Sequence, residues 1–440
     1  MSLKESMKTN NLSLRTAIIG AGPAAFFCAD YLLRFSRPCS VALFERRPYP
    51  FGLVRDAVAP DKPNIRAAAH AFTRTAQHPG FAFFGNVCVG RDLALQDLKK
   101  YYHAIIVATG ASSPRIPEIQ GGSLAGSEDA VSLAGWYNGR PDCAVLKPNL
   151  ACTSVIIIGA GNAALDIARI LATPAAELEH TDISGAAWEL LRDSHVTDIH
   201  IVARRGPYDV CFAPQELELL SRVPGCGIEL HAAPERLEPP ATDAAADRMR
   251  KAYAVAAASQ GRARRVHLHF DMNPVALLGE DKVKGVLFEK PADEFVHIAC
   301  GMAVHSIGQT ACPVAGLPFE EGGNRIPNIG GRVVKEETII PGFYVAGAVK
   351  RGANSVIGAN KPDCLETVRS ILDDRDRLLE TPLDEGDGFL LSLRERGVRV
   401  VTFQDWLQID AWERSRGELK GKPRDRLLSL EAMVAVLDRR

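Results

Sequence analysis

Gly20, Gly22, Ala25 and Glu45 are the first set of residues whose types and spacing point to chemistry. Gly20 permits a tight turn, Gly22 admits a pyrophosphate to the backbone, and small Ala25 lets a helix pack closely on a strand. Glu45 ends the next apolar run, Val41-Ala-Leu-Phe-Glu45, where a carboxylate accepts hydrogen bonds from both hydroxyls of an adenosine ribose. The pattern returns at Gly159, Gly161 and Ala164. There the following strand, Asp198 to Ala203, ends in Arg204-Arg205 instead of an acid. Two guanidiniums suit a ribose 2′-phosphate. The first set therefore predicts an unphosphorylated adenosine, as in FAD, and the second predicts NADPH.

Both sets need a buried strand that runs through glycine into a helix N-terminus, where exposed N–H groups and the helix dipole receive phosphate. The β-branched run at Ala17–Ile19 and the run Ser154–Ile158 supply those strands. The fold class is α/β, with two Rossmann-like dinucleotide-binding domains. Residues 1–14 read as a disordered leader. The FAD-binding domain is discontinuous, covering 15–112 and 340–440, and the NADPH-binding domain, 113–339, is inserted in it. Prolines and glycine between Arg46 and Pro63 predict an extended loop, followed by helical spacing from Ile65 to Ala76 and a hairpin-like stretch from Phe81 to Val89. Ala104–Ala108 reads as a strand that passes the chain onward. Ile339 to Ala348, ending in small residues at Gly347-Ala348, reads as a strand that returns it, with a helix from Cys364 to Leu372 beyond. Phe389, Val400, Phe403, Trp406, Ile409 and Trp412 predict that the last segment packs on the first domain.

The formal net charge of −1 argues against broad nucleic-acid binding. No apolar run approaches the roughly 18 residues of a membrane span. The polar start lacks a signal-peptide core, so the expected location is cytoplasmic. Ten cysteines show no C-x-x-C spacing, which signals neither a zinc site nor a redox dithiol, and most are expected to be buried thiols. The basic runs Asp247–Lys251 and Arg262–Arg265 read as solvated faces or as a surface for an acidic partner.

Further marks are Phe51-Gly-Leu-Val-Arg55, Val58-Ala-Pro-Asp61, Phe84-Gly-Asn-Val87, Gly135-Trp-Tyr-Asn138-Gly139, Arg204-Arg-Gly-Pro207, Lys350-Arg-Gly352 and Val356-Ile-Gly358. With both glycine fingerprints they make the chain, nearly end to end, resemble the adrenodoxin-reductase-type NADPH–ferredoxin reductases. The resemblance implies FAD contacts at Ala24, Glu45, Leu53, Val89, Val356 and Ile357, and NADPH contacts at Gly161, Asn162, Arg204, Arg205 and Glu216. It implies that NADPH gives hydride to the flavin, which then releases single electrons to a ferredoxin-type iron–sulfur protein.

The chain departs from that family around the flavin. Lys62 replaces a histidine, and Leu219 stands where a carboxylate can pair with it. Ala348 follows Gly347 where the family has tryptophan, and Ser355 adds bulk where a glycine lets nicotinamide approach. Lys62 and Ser355 are therefore the altered positions nearest the chemistry, and Gly347, Ala348 and Ser355 count among the flavin-facing residues. A flavoenzyme acting on a small molecule, with Lys62 holding an anionic substrate, is the alternative reading. A non-catalytic FAD-binding partner protein is the second.

Overall fold

The computed structural model describes residues 13–36, 38–232, 234–238, 244–259, 261, 263–352, 357–384 and 388–438. The chain enters as β1 (Leu14–Ile19), where Ala17 and Ile18 have no exposed surface. Helix α1 (Pro23–Phe35) carries it over to β2 (Cys39–Glu45), which pairs with β1 in parallel. The following loop is not wholly extended. Gly52 and Pro63 each open a single helical turn, α2 (Leu53–Asp56) and α3 (Pro63–Arg66), because proline at a first helical position gives up no needed donor. Helix α4 (Ala68–Ala76) is a crossover, so the Phe81–Val89 stretch is not a hairpin. It begins as β3 (Phe81–Gly85), parallel to β2, because the crossover returns the chain in the same direction. Strand β4 (Ala104–Val107) pairs with the other edge of β1, again in parallel.

The second unit adds β5 (Ser127–Asp129), β6 (Ser154–Ile158), α5 (Asn162–Ala172), β7 (Asp198–Val202), α6 (Pro214–Ser221), β8 (Cys226–His231), α7 (Ala244–Ala257) and β9 (Arg264–His269). An antiparallel flap, β10 (Asn273–Gly279), β11 (Val283–Lys290) and β12 (Glu294–Ala299), precedes β13 (Met302–His305). The second sheet runs β5-β13-β6-β7-β9-β8, all parallel.

The return to the first sheet begins at Asn328, ahead of position 340. Strands β14 (Asn328–Ile329) and β15 (Arg332–Lys335) form a hairpin beside β16 (Thr338–Val345), and β16 pairs with β4 in parallel. The hairpin loop is Gly330-Gly331, with φ of 58° and 88°, which only glycine adopts freely at both central positions of such a turn. The full order is β14-β15-β16-β4-β1-β2-β3. Helix α8 (Asn360–Asp373) then packs on α1.

Helix α9 (Phe403–Glu418) lies against β3, with Trp406 and Ile409 buried, as the aromatic spacing predicts. Its Glu413 is fully buried and accepts two hydrogen bonds from Arg55 Nη2, at 2.7 and 2.9 Å. The guanidinium of Arg55 also lies over the rings of Tyr49 and Trp406. Beyond α9 the chain reaches the second unit, where Asp182 is ion-paired with Arg424 and Arg426 and also with Arg66. Burial pushes the Asp182 carboxyl up, but Arg426, Arg424 and Arg66 together hold it well below the usual range. The ten cysteines are all unpaired; Cys28, Cys143, Cys226, Cys300 and Cys364 are buried, while Cys211 and Cys312 are exposed. Burial thus holds for half of them rather than for most, since several sit in connecting segments. Among the described residues no helix is long and apolar enough to cross a membrane.

Candidate active site

The two fingerprints are built alike. Gly20 has φ of +102°, and a Cβ there would lie 2.6 Å from the Ala108 carbonyl oxygen. Gly159 has φ of +114°, and a Cβ there would lie 2.3 Å from the Ser306 oxygen. Each glycine therefore lets a strand end press against the neighbouring strand. Gly22 and Gly161 have open space where a Cβ would stand, and they cap α1 and α5 without any side-chain cap. Both helices thus present bare N–H groups across a gap, a cradle that fits a pyrophosphate.

In each unit the segment after the second strand folds back over the fingerprint. Phe51 N–H donates to Ala21 O at 2.8 Å, and Cys211 N–H donates to Ala160 O at 3.1 Å. Phe51 takes φ of 87°, and a Cβ on Gly52 would fall 2.9 Å from Gly22 Cα. A bulky residue in that region is strained, and here the strain lays the loop on the phosphate turn. Asn162 Oδ1 accepts from Ala213 N–H at 2.8 Å, so its side chain also fastens the loop of the second site.

The strand ends differ as expected. Glu45 accepts from Ala21 N–H at 3.0 Å and from Arg47 N–H at 3.1 Å, which leaves further lone pairs for ribose hydroxyls. Burial pushes its carboxyl up, against the pull of Arg47 and the two N–H donors. Arg204 and Arg205 are exposed past the end of β7, with no carboxylate in ion-pair reach of either among the described residues. Arg236 is a third cation there, which the sequence did not signal. It is held by Asp271 at 2.7 Å, and a Cβ on Gly206 would meet its Nη2 at 2.6 Å.

Lys62 is buried and faces two carboxylates of the second unit, Glu216 at 2.5 Å and Asp166 at 2.6 Å. Arg169 completes the group, bonding Asp61 at 2.6 Å and Asp166 at 2.7 Å. Two expectations need correction here. A carboxylate partner is not lost to Leu219, because α6 presents Glu216 one turn earlier while Leu219 is partly exposed. Lys62 is also not free for an anionic substrate, because its ammonium is already engaged. Glu216, implied as an NADPH contact, is committed to Lys62 in this structure.

Gly347 closes the first site. Its φ is +79°, its N–H donates to Asp363 Oδ2 at 2.7 Å, and a Cβ would lie 2.7 Å from Ala24 Cβ. Ala348 is half-buried beside it, Val89 is half-buried, and Leu53 is exposed. Ser355 and Val356 lie outside the described residues, as does the side chain of Ile357.

The family described as pyridine nucleotide-disulphide oxidoreductase matches residues 14–206. The human mitochondrial NADPH:adrenodoxin oxidoreductase is 36% identical, over 98% of this chain and 93% of its own. The chain belongs to the NADPH:adrenodoxin oxidoreductase and ferredoxin reductase family. The NADPH-ferredoxin reductase FprA of Mycobacterium tuberculosis is 35% identical over 96% of this chain. A solved structure of that protein with NADPH superposes with a TM-score of 0.89 at 33% identity, covering 97% of this chain and 99% of the other. The reductase is thus an NADPH-dependent flavoprotein oxidoreductase whose cofactors are FAD and NADPH, which excludes the non-catalytic reading. Glu45 and the Gly20–Gly22 turn would hold FAD, and Arg204, Arg205 and the Gly159–Gly161 turn would hold NADPH.

Of the arginines Arg248, Arg250 and Arg264 in the two basic runs, Arg264 is half-buried while Arg248 and Arg250 stay exposed. Arg264 donates to the carbonyls of Val196 and Ala172, and Arg250 pairs with Asp247 at 2.9 Å.

Proposed function

We propose that the reductase takes electrons from NADPH and passes them one at a time to an acidic iron–sulfur protein of the ferredoxin class. The observation that carries this reading is the pairing of an acidic strand end at Glu45 with the exposed Arg204-Arg205 at the matching strand end, where neither arginine has a carboxylate partner among the described residues. One site selects a bare ribose and the other a 2′-phosphate. Bound FAD supplies the step from hydride to single electrons. The protein's own groups bind the phosphates at two helix N-termini, hold the sugars at two strand ends, and fix the two units through Lys62, Arg169 and Asp182. The family's ferredoxin partners and the exposed cation Arg248 support an electrostatic docking step.

The test is anaerobic. NADPH should bleach the flavin absorbance quickly, and NADH much more slowly; a flavin that neither donor bleaches overturns the reading. With ferredoxin as acceptor, turnover should fall steeply as salt rises, because charged surfaces steer the encounter and salt screens them. Turnover that ignores salt would remove the acidic partner from the proposal while leaving the NADPH step intact.

A further inference from the structure

The second sheet carries a histidine cluster that the dinucleotide chemistry does not use. Ile199, Ile201, Ile228, Val266 and Leu268 point into the core shared with α5–α7. Side chains alternate along a strand, so Asp198, His200, Glu229, His231, His267 and His269 share the opposite face. The parallel register sets His267 beside both His200 and Glu229, and His269 beside His231.

Three of these groups converge. His231 Nε2 lies 3.1 Å from His267 Nδ1, His267 Nδ1 lies 3.2 Å from Glu229 Oε2, and the third side of the triangle is 3.8 Å. A tetrahedral site with metal–nitrogen bonds of about 2.0 Å has ligand–ligand edges of about 3.3 Å. The triangle therefore matches one face of such a site. The rings are also pre-oriented. His267 Nε2 lies 3.1 Å from Asp198 Oδ1, and Asp198 is itself held by Arg265 at 2.7 Å and by the Thr197 hydroxyl at 2.8 Å. A carboxylate on Nε2 fixes the tautomer that leaves Nδ1 as a lone pair, the arrangement that supports a metal-bound imidazole. His200 stacks on His267 at 4.5 Å and His269 on His231 at 4.3 Å. The nearby cations are Arg265, neutralised by Asp198, and Lys290, which lies 3.5 Å from Glu294.

We propose that Glu229, His231 and His267 bind a first-row divalent cation of the zinc class, with water completing its coordination. Two imidazoles and one carboxylate suit zinc and its neighbours better than calcium or magnesium, which prefer all-oxygen shells. His231 and Glu229 are half-exposed, with side-chain exposures of 42% and 48%, so the cation has an entry path from solvent. The bound ion would tie the edge strand β8 to β9.

The test uses the FAD-loaded protein, stripped with a chelator and dialysed against limiting zinc, with bound zinc measured per flavin. The wild type should hold one zinc per flavin. His231→Gln and Glu229→Gln, both surface changes, should each weaken binding by more than tenfold while keeping the flavin. Asp198→Asn, which removes an outer partner, should weaken it by roughly 10–100-fold. A wild type that retains no zinc overturns the proposal. So does zinc retained unchanged in His231→Gln and Glu229→Gln, which would assign the metal to other groups such as the exposed Cys211 and Cys312.

Discussion

Replacing Arg204 and Arg205 together by alanine should raise the KM for NADPH about 100-fold and leave the KM for NADH nearly unchanged. Hydrogen bonds to charged groups contribute about 1.5–3 kcal/mol each. Both guanidiniums are exposed, so the lower value applies to each. Two such contacts give about 3 kcal/mol, and every 1.4 kcal/mol is about tenfold in affinity. NADH lacks the 2′-phosphate and cannot report on these groups. Each single variant should show roughly the square root of the double effect, with Arg236 already paired with Asp271 at 2.7 Å. Bound FAD should be unaffected, because its site is built on β1 and β2. Steady-state KM values for both nucleotides decide the matter. Equal losses for NADPH and NADH would mean that the arginines shape the loop instead of reading the phosphate.

The features legible in the sequence are those carried by short local patterns. Strand, glycine and helix succeed one another within each fingerprint, and the strand-end residues Glu45 and Arg204-Arg205 follow at a spacing set by one crossover. The Gly330-Gly331 turn was equally local but went unread, so the return to the first sheet was set at 340 when it begins at Asn328. Phe81–Val89 misled because an apolar run ending in Gly85-Asn86 looks the same whether its partner strand is adjacent or lies across a helix. Pairings between distant segments were not legible. Nothing near Lys62 announces Asp166 and Glu216, and nothing near Asp182 announces Arg424 and Arg426. A residue-by-residue likeness to the family placed a missing carboxylate at Leu219, because it fixed the position and not the helix face. The histidine cluster escaped for the same reason, since its members come from three strands and meet only through sheet register.

Lys62→Met should lower the free energy of denaturant unfolding by about 3–5 kcal/mol, the cost of removing one partner from a buried ion pair. The methionine fills most of the same space, so the loss reports charge and not a cavity. Lys62 has 7% side-chain exposure and its partners Asp166 and Glu216 have 12% and 13%, so little water can replace the ammonium. Arg169 still faces Asp166, but it lies 3.8 Å from Glu216 and is already shared with Asp61. The variant leaves Glu216 facing Asp166 with too little positive charge between them. Adding Glu216→Gln to Lys62→Met should therefore recover part of the loss, a coupling that the double-mutant cycle measures. The same variant should slow flavin reduction by NADPH, because Lys62 belongs to the first unit and its partners to the second. Slackening that joint misplaces nicotinamide relative to flavin, and a displacement of about 1 Å is enough to cost roughly 100-fold in rate. If Lys62→Met unfolds like the wild type and is reduced as fast, the network is incidental to the alignment of the two sites. If it is less stable but reduced at the wild-type rate, Lys62 holds the units together without setting the angle between them.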